Sequence, residues 1–345
     1  MDTYIRVDLS LDFGSLNYTE VHQLLEQPKK VVITTHKSPD GDAIGSSLAL
    51  NFVLNKLGHQ SVVIVPDRFP AFLNWLEGAD EILIYDESKM NCISAIEAAD
   101  IAFSLDYNRL ERVADLGEHL KESSAVKLMI DHHIDPDDSF DHILSNTGAS
   151  STAELVHEFI SDLGWETKIG VAEAECLYAG IMTDTGSFRF SSTSSKTHRV
   201  VAHLMDIGLE PWKVHQAIFD TNSYDRLKLS GYALSEKLEF IPGIRCSIIT
   251  LSAEEKNRFN YQKGDTEGLV NYGLSIAGSD VAVFLSEENG MVKFSFRSKG
   301  EINVNDIARE HFSGGGHRNA AGGKFDGSLK DAEMKLKEVL HAKFG

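Results

Sequence analysis

Four apolar runs in the first half of the chain predict buried β-strands. They cover residues 31–35, 61–66, 101–105 and 125–130. Runs that are apolar at nearly every position, rather than at alternate ones, are typical of parallel strands covered on both faces. Residues 177–183 form another run of this kind, and we expect a strand there as well.

Helical patterns alternate with these runs. Residues 18–25 and 46–57 show the spacing of buried helices, and Gly58 provides a stop for the second one. Strands that alternate with helices predict the α/β class, with a doubly wound parallel sheet in the N-terminal domain. In such sheets the carboxyl ends of the strands form the ligand-binding crevice.

The second half of the chain predicts a smaller mixed α/β domain. Residues 193–234 have an amphipathic helical pattern, which we interpret as a connector. Strands are expected at 245–251, 281–286, 292–297 and 320–325, with a hairpin turn at 287–290, and helices at 304–311 and 329–343. The predicted division is therefore an N-terminal domain at 1–192, a helical connector at 193–234 and a C-terminal domain at 235–345.

The composition is that of a soluble globular protein, with 42% hydrophobic and 25% charged residues in a chain of 345. We see no apolar run of the ~20 residues that a membrane span needs and no pattern of a signal peptide, so we expect a cytoplasmic protein without a membrane partner. Three cysteines at distant positions, Cys92, Cys176 and Cys246, predict buried free thiols.

The charge balance narrows the choice of partner. The 33 basic and 52 acidic residues give a net charge of −19, which argues against binding long duplex nucleic acid through phosphate neutralisation. A short anionic substrate stays compatible with this charge, because divalent cations can supply positive charge at one place.

Acidic and imidazole side chains follow four of the predicted strands, those at 31–35, 101–105, 125–130 and 177–183. Pro39 and Gly41 break regular structure in the first turn, so the carboxylates beside them can face one centre. The residues at these strand ends are His36, Asp40, Asp42, Asp106, Asp131, His132, His133 and Asp184. A single Asp at a strand end is most often a turn former or a helix N-cap, so it is the joint occurrence that indicates a site.

If they meet at one place, the four carboxylates of Asp40, Asp42, Asp106 and Asp184 repel one another unless cations neutralise them, and their charge matches two divalent ions. Mixed carboxylate and imidazole ligands favour Mn²⁺, with Mg²⁺ as the alternative and zinc and cobalt left open. Two such ions activate a water molecule and stabilise an in-line phosphoryl displacement. The sequence therefore indicates metal-dependent phosphoryl chemistry.

Two further features suggest phosphate binding. Gly314, Gly315 and Gly316 precede His317, and a glycine run lets a phosphate oxygen approach backbone N–H groups. Arg297 ends a predicted strand and offers a planar fork for a phosphate. Taken alone, the glycine run could be a flexible turn and Arg297 a surface residue.

These motifs, in this order, resemble those of the DHH phosphoesterase family. HKSPDGDAIGS, the strand end at Asp106, Asp131-His132-His133 and TDTGSF are similar to its four motifs, while FRSKG and GGGHRNAAG resemble the DHHA1 substrate domain. The resemblance spans residues 31–325. Within the family, the chain is similar to the nanoRNase and phosphoadenosine phosphate phosphatase group.

The resemblance implies roles for individual residues. One metal would be held by His36, Asp40, Asp106 and Asp184, and the other by Asp42, Asp106, His132 and Asp184, with His133 beside the scissile phosphate. His133, Asp106 and Asp184 would thus be the catalytic residues. Substrate would be bound by Arg297, Ser298, Gly314, Gly315, Gly316, His317, Asn319 and Arg109.

The expected function is hydrolysis of short oligoribonucleotides to mononucleotides and of 3′-phosphoadenosine 5′-phosphate to AMP. The alternatives are a signalling phosphodiesterase for cyclic or linear dinucleotides, a RecJ-like single-strand exonuclease, and a noncatalytic nucleotide-binding module. The expected partners are short single-stranded RNA or a nucleotide bisphosphate, and a homodimer is left open.

Overall fold

The computed structural model describes residues 16–288 and 290–345. The chain divides into two compact units, of which the first ends at Thr221 and the second is Asn222–Gly345. This division falls inside the segment predicted as a helical connector. Each unit has its own six-stranded sheet.

All neighbouring strands in the sheet of the first unit are parallel. The strands are β1 Lys30–Thr35, β2 Gln60–Val65, β3 Leu83–Ile84, β4 Ile101–Leu105, β5 Val126–Asp131 and β6 His142–Ser145. Their order, β3-β2-β1-β4-β5-β6, is that of a doubly wound sheet. The predicted fold class is therefore confirmed, and the sheet gains two short edge strands, β3 and β6, that the apolar pattern did not reveal.

Helices cover both faces of this sheet. They are α1 Tyr18–Leu24, α2 Gly41–Lys56, α3 Tyr85–Glu97, α4 Leu116–Glu122, α5 Thr152–Asp162, α6 Val171–Asp184, α7 Ser195–Ile207 and α8 Pro211–Phe219. Adjacent residues of β1 point to opposite faces: Ile33 packs in the core with α2, α5 and α6, and Val32 packs with α3 and α4. Because both faces are buried, the strand is apolar throughout.

The prediction of a strand at 177–183 is wrong, because these residues belong to helix α6. Every residue from Cys176 to Met182 is buried, since α6 packs among other helices in the core. A helix that is buried all round shows an unbroken apolar run, which periodicity cannot distinguish from a buried strand. Asp184 is consequently the last residue of a helix rather than the end of a strand.

The second unit contains a mixed sheet, as predicted. Its strands are β7 Leu238–Ile241, β8 Cys246–Leu251, β9 Val281–Glu288, β10 Met291–Ser298, β11 Gly315–His317 and β12 Ala320–Asp326, in the order β11-β12-β10-β9-β8-β7. Pairing is parallel between β8 and β9 and antiparallel elsewhere. Asn289, in the predicted turn between β9 and β10, lies outside the described residues.

Five helices complete the second unit: α9 Tyr224–Glu236, α10 Ala253–Asn257, α11 Leu269–Leu274, α12 Val304–His311 and α13 Leu329–Phe344. Ile248 and Val283 share a core with α12 and α13 on one face, and Ile249 and Phe284 share a second core with α9 and α11. The segment predicted to be helical at 193–234 forms α7, α8 and most of α9.

Two of the three glycines in the run, Gly315 and Gly316, lie in the sheet and not in a flexible turn. Gly315–His317 forms strand β11, which pairs antiparallel with β12. A Cβ at Gly314 would overlap the carbonyl oxygen of Gly322, and Gly316 has a φ of +147°. Glycine is therefore required at these two positions by close strand contact and by backbone conformation.

Two general expectations can be compared with the structure. Cys92, Cys176 and Cys246 are free, buried thiols, as predicted. Within the described residues, every helix is too short or too polar to span a lipid bilayer.

Close packing of α2 on α6 depends on Gly45. A Cβ at this position would overlap the carbonyl oxygen of Cys176 and lie 3.0 Å from the amide nitrogen of Gly180. We expect Gly45→Ala to lower the free energy of unfolding by about 1–3 kcal/mol, because two backbones would have to separate. The midpoint of denaturant unfolding, followed by circular dichroism, measures this loss.

Gly231→Ala is the matched control. Gly231 lies within α9, and a Cβ there would meet nothing within 4 Å. Alanine should leave the midpoint unchanged or raise it, since it is the better helix former by about 0.5–1 kcal/mol. An unchanged midpoint for Gly45→Ala would contradict the packing argument.

Candidate functional site

The start of helix α2 carries two acidic residues with different tasks. Asp40 is the N-cap, and its Oδ1 accepts hydrogen bonds from the N–H groups of Asp42 (3.0 Å) and Ala43 (3.1 Å). The other oxygen of Asp40, Oδ2, lies 4.0 Å from Nε2 of His36. One carboxylate therefore caps the helix and also faces the imidazole.

His36 follows strand β1 and is oriented by the backbone of the next residue, Lys37. Its Nδ1 donates to the carbonyl oxygen of Lys37 at 3.0 Å, so that Nε2 faces Oδ2 of Asp106 at 3.3 Å. Burial lowers the pKa of His36, but the hydrogen bond to Asp106 and the charges of Asp40 and Asp106 outweigh burial and raise it to about 9. When neutral, the ring presents Nε2 as a metal ligand.

Asp106 lies between two groups of imidazoles. Its Oδ2 faces His36, while Oδ1 lies 3.6 Å from Nε2 of His132 and 3.8 Å from Nδ1 of His133. Its φ of +64° is a left-handed conformation, which Asp tolerates better than most residues. Burial raises the pKa of Asp106, but the hydrogen bond to His36 and the charges of the three imidazoles hold it well below its usual range.

Asp42 is the most crowded carboxylate of the group. It is buried, and its oxygens accept backbone N–H groups at the start of α5: Oδ2 from Thr152 at 2.7 Å and Oδ1 from Ala153 at 2.8 Å. Burial, followed by repulsion from neighbouring carboxylates, nevertheless raises the pKa of Asp42 well above its usual range. In the metal-free protein, the negative charge is therefore incompletely balanced here.

His132 joins Asp42 to the end of α6. Its Nε2 lies 3.9 Å from Oδ2 of Asp42 and 3.6 Å from Oδ2 of Asp184. Burial lowers the pKa of His132, but the charges of Asp184 and Asp106 outweigh burial and raise it. Asp184 reaches this group from a helix end, although we had expected it at the end of a strand.

His133 is held by Asp131, the last residue of β5. Nδ1 of His133 donates to Oδ1 of Asp131 at 2.7 Å, and its backbone N–H donates to Oδ2 at 3.0 Å. Asp131 is fully buried, so the ring has one preferred orientation. Asp131 thus fixes the orientation of the His133 ring.

These residues fit divalent cations. His36, Asp40 and Asp106 form one group and Asp42, His132 and Asp184 form another, and in each group the potential ligand atoms lie within 4.8 Å of one another. Carboxylate oxygens with imidazole nitrogens are ligands suited to Mn²⁺ and related ions. Asp106 belongs to the first group, and its Oδ1 also lies 3.6 Å from Nε2 of His132 in the second.

Several contributors to the site were missed in the sequence. Thr152 and Ala153 bind Asp42 through the start of α5, where Ser151 caps the helix by accepting from the N–H of Glu154. The letters STAE at 151–154 are a helix-start pattern and could have revealed this helix. No local pattern, however, indicates that its first N–H groups bind a carboxylate 110 residues away.

Asn108, which lies beside Arg109 and binds the same loop, was also not identified from the sequence. The Asn108 side-chain amide donates to the carbonyl oxygens of Ile134 (2.5 Å) and Asp135 (3.3 Å). Nε of Arg109 donates to the same Asp135 carbonyl at 3.1 Å. Both side chains therefore hold the loop that follows His133, and Arg109 has a structural contact in addition to its expected role with substrate.

In the second unit, the predicted substrate-binding residues surround the ends of β10, β11 and β12. Arg297 and Ser298 end β10, and one guanidinium N–H of Arg297 donates to the carbonyl oxygen of Phe296 at 2.9 Å. The Asn319 amide donates to Oγ of Ser298 (2.9 Å) and to the Gly300 carbonyl (2.9 Å). Ser298 and Asn319 thus hold a turn together.

The short strand β11 presents Gly315 differently from its neighbours. A Cβ at Gly315 would first meet Oδ1 of Asn305 at 3.7 Å and Nε of Arg309 at 3.9 Å, so this position has more space than Gly314 or Gly316. His317 is the last residue of β11 and is partly exposed. The open side of the strand at Gly315 is bordered by polar groups of α12.

Comparisons with known proteins agree with this architecture. Residues 30–181 match the DHH family, N-terminal domain, and residues 247–344 match the DHHA1 domain. The bifunctional oligoribonuclease and PAP phosphatase NrnA of Thermus thermophilus is 31% identical over 94% of this chain and 91% of its own length. NrnA of Bacillus subtilis is 28% identical over 93% of this chain and 99% of its own length.

A solved structure resembles the whole chain. The crystal structure of an exopolyphosphatase-related protein from Bacteroides fragilis matches with a TM-score of 0.91 and 38% identity, and covers 94% of this chain and 95% of that one.

The raised pKa of His36 leads to a pH prediction for the metal-free protein. The pKa of a His side chain in an unfolded chain is ~6.5, whereas the carboxylates around His36 raise its pKa in the folded protein to about 9. Its contribution to stability is therefore complete below ~6.5 and is lost as the pH rises through about 9. In urea unfolding with EDTA present, the free energy of unfolding of the parent should be lower at the high-pH end of this window than at the low-pH end.

The variant His36→Gln serves as the comparison, since it cannot be protonated in this window. We expect its stability to change less between the same two pH values. Equal pH dependence of stability in the parent and the variant would show that the neighbouring carboxylates do not raise the pKa of His36.

Proposed function

This chain belongs to the DHH phosphoesterase family, and on that premise we propose that it hydrolyses short oligoribonucleotides to mononucleotides and 3′-phosphoadenosine 5′-phosphate to AMP. The observation that carries the proposal is the convergence of carboxylates and imidazoles around Asp106. It is supported by full-length similarity to enzymes named as bifunctional oligoribonucleases and PAP phosphatases.

The proposed ligands form two sets. His36, Asp40 and Asp106 would hold one cation, and Asp42, His132 and Asp184 would hold the other, with Asp106 contributing to both sets. Asp184 is proposed as a second shared ligand, and its contact with His132 supports its place in the second set. Mn²⁺ is the preferred ion and Mg²⁺ the alternative. When bound, such cations activate a water molecule and stabilise negative charge on the phosphoryl oxygens.

His133 is proposed to act on the scissile phosphate. Asp131 accepts from its Nδ1, which orients the ring. With Nδ1 held in this way, Nε2 is the ring atom that we propose to contact a phosphate oxygen or the leaving oxygen. Asp131 takes part only through His133.

The second unit is proposed to bind the terminal phosphate or nucleotide of the substrate. Arg297 provides the guanidinium, while Gly315, Gly316 and His317 provide backbone N–H groups and an imidazole. Ser298 and Asn319 support them by holding the turn between β10 and α12. The N–H of Gly314 already donates to the carbonyl oxygen of Ala308 at 3.0 Å, so Gly314 would contribute only by the absence of a side chain. We expect short substrates to be favoured, because the net charge of −19 disfavours long polyanions. The relatives named as oligoribonucleases support the same expectation.

A noncatalytic nucleotide-binding module is the competing class of function. Such a module has no need for buried, mutually repelling carboxylates, which destabilise a protein unless cations neutralise them. Hydrolysis of cyclic or linear dinucleotides and exonuclease action on long single strands use the same chemistry, so these activities are separated by substrate and not by the metal ligands.

Asp106→Asn tests the catalytic assignment. Asn tolerates the left-handed backbone at this position and keeps the size of the side chain, but it removes the shared negative charge. We expect turnover of a diribonucleotide with Mn²⁺ to fall by more than about 100-fold, since loss of residues that only support ligands already costs 10–100-fold. Steady-state release of mononucleotide measures the effect.

Asp115→Asn is the control for this variant. Asp115 is exposed and makes no capping hydrogen bond to α4. Its substitution should leave the rate unchanged. Parental turnover by Asp106→Asn would remove this carboxylate from the mechanism.

Substrate length gives a second test. We expect diribonucleotides and 3′-phosphoadenosine 5′-phosphate to be hydrolysed with a higher kcat/KM than a single-stranded 20-mer, a cyclic dinucleotide or polyphosphate. Side-by-side rates in Mn²⁺, with products separated by chromatography, give the ranking. Equal kcat/KM for the 20-mer and the dinucleotide would overturn the preference for short substrates while leaving the hydrolase assignment intact.

A further inference from the structure

Helix α5 begins directly against two carboxylates of the proposed metal site, Asp42 and Asp106. Thr152, its first residue, donates its backbone N–H to Oδ2 of Asp42 at 2.7 Å and its side-chain hydroxyl to Oδ1 of Asp106 at 3.0 Å. Asp42 comes from the start of α2 and Asp106 from the end of β4. We infer that Thr152 is a positioning residue that sets the orientation of Asp106 relative to Asp42 and so prepares both carboxylates for cation binding.

The backbone part of this contact follows from the structure of a helix end. The first N–H groups of an α-helix have no acceptor within the helix. In α5, the Ser151 side chain accepts from the N–H of Glu154, and the two oxygens of Asp42 accept from Thr152 and Ala153. Asp42 thus acts as a cap for α5 as well as a member of the carboxylate group.

The side-chain part acts on Asp106. Its two oxygens face different imidazoles, so rotation about the carboxylate would exchange or lose these contacts. The hydroxyl of Thr152 binds Oδ1, the oxygen on the side of His132, and leaves Oδ2 towards His36. A single hydroxyl therefore favours the orientation in which Asp106 faces both groups.

The donors that α5 supplies to these carboxylates are neutral. Two N–H groups and one O–H group orient Asp42 and Asp106 without adding positive charge. A Lys or Arg in the same place would compete with a divalent cation for the same oxygens. Hydroxyl and backbone donors avoid this competition, as expected of residues that support metal ligands.

The inference rests on the proposed metal-binding role of Asp42 and Asp106, and it is tested by metal binding measured apart from turnover. Thr152→Val keeps the shape and the N–H group but removes the hydroxyl, whereas Thr152→Ser retains the hydroxyl. We expect Thr152→Val to bind Mn²⁺ about 10–100-fold more weakly and Thr152→Ser to stay close to the parent. Titration of the EDTA-treated protein with Mn²⁺, followed by electron paramagnetic resonance of the free ion, gives the affinities.

Thr35→Val is the matched control. Thr35 is fully buried at the end of β1, and its hydroxyl makes no hydrogen bond within the described part of the chain. This variant should bind Mn²⁺ as the parent does. Thr152→Ala repeats the test with a smaller side chain, in case valine prevents folding, and denaturant unfolding of each metal-free variant identifies the folded ones.

The outcomes separate this inference from the proposed function. Parental Mn²⁺ affinity in a folded Thr152→Val or Thr152→Ala overturns the inference, and so does a Thr152→Ser that binds as weakly as Thr152→Val. A parent that binds no Mn²⁺, or an Asp106→Asn variant that keeps its turnover, instead contradicts the proposed function.

Discussion

The central constraint on the first unit is that several carboxylates are buried close together, where water cannot screen their repulsion. Asp42 and Asp106 are nearly inaccessible, and Asp184 and Asp40 lie close by. The pKa values of the two buried carboxyls shift in opposite directions. Burial and then neighbouring carboxylates raise the pKa of Asp42, whereas the imidazoles around Asp106 outweigh burial and lower its pKa. Such a group is stable only because neutral donors, imidazoles and, as we propose, divalent cations offset the repulsion.

The residues of this group come from the ends of strands, the start of one helix and the end of another. Strands β1, β4 and β5 deliver His36, Asp106 and the pair His132 and His133 at one edge of the sheet. The start of α2 supplies Asp40 and Asp42, and the end of α6 supplies Asp184. Close approach of α2 and α6 at glycine positions makes this convergence feasible, because side chains there would hold the helices apart.

Supporting contacts fix the orientation of each member. Asp131 orients His133, the Lys37 carbonyl orients His36, and the start of α5 holds Asp42. In the second unit, Ser298 and Asn319 play a similar part by holding a turn beside Arg297. The reactive groups lie in loops and at element ends, whereas their orientation is set by buried hydrogen bonds to rigid elements.

The α/β class, the four central strands and the acidic and imidazole residues could be predicted from the amino-acid pattern, because an unbroken apolar run followed by polar residues is a local signal. The pattern also indicated α12 and α13 through their helical periodicity. That 177–183 is a helix and that Gly315–His317 is an edge strand follows from the packing around these segments, which no local pattern records. The contact of Thr152 with Asp42 and Asp106 likewise joins distant segments, and no local pattern records which helix start meets which strand end.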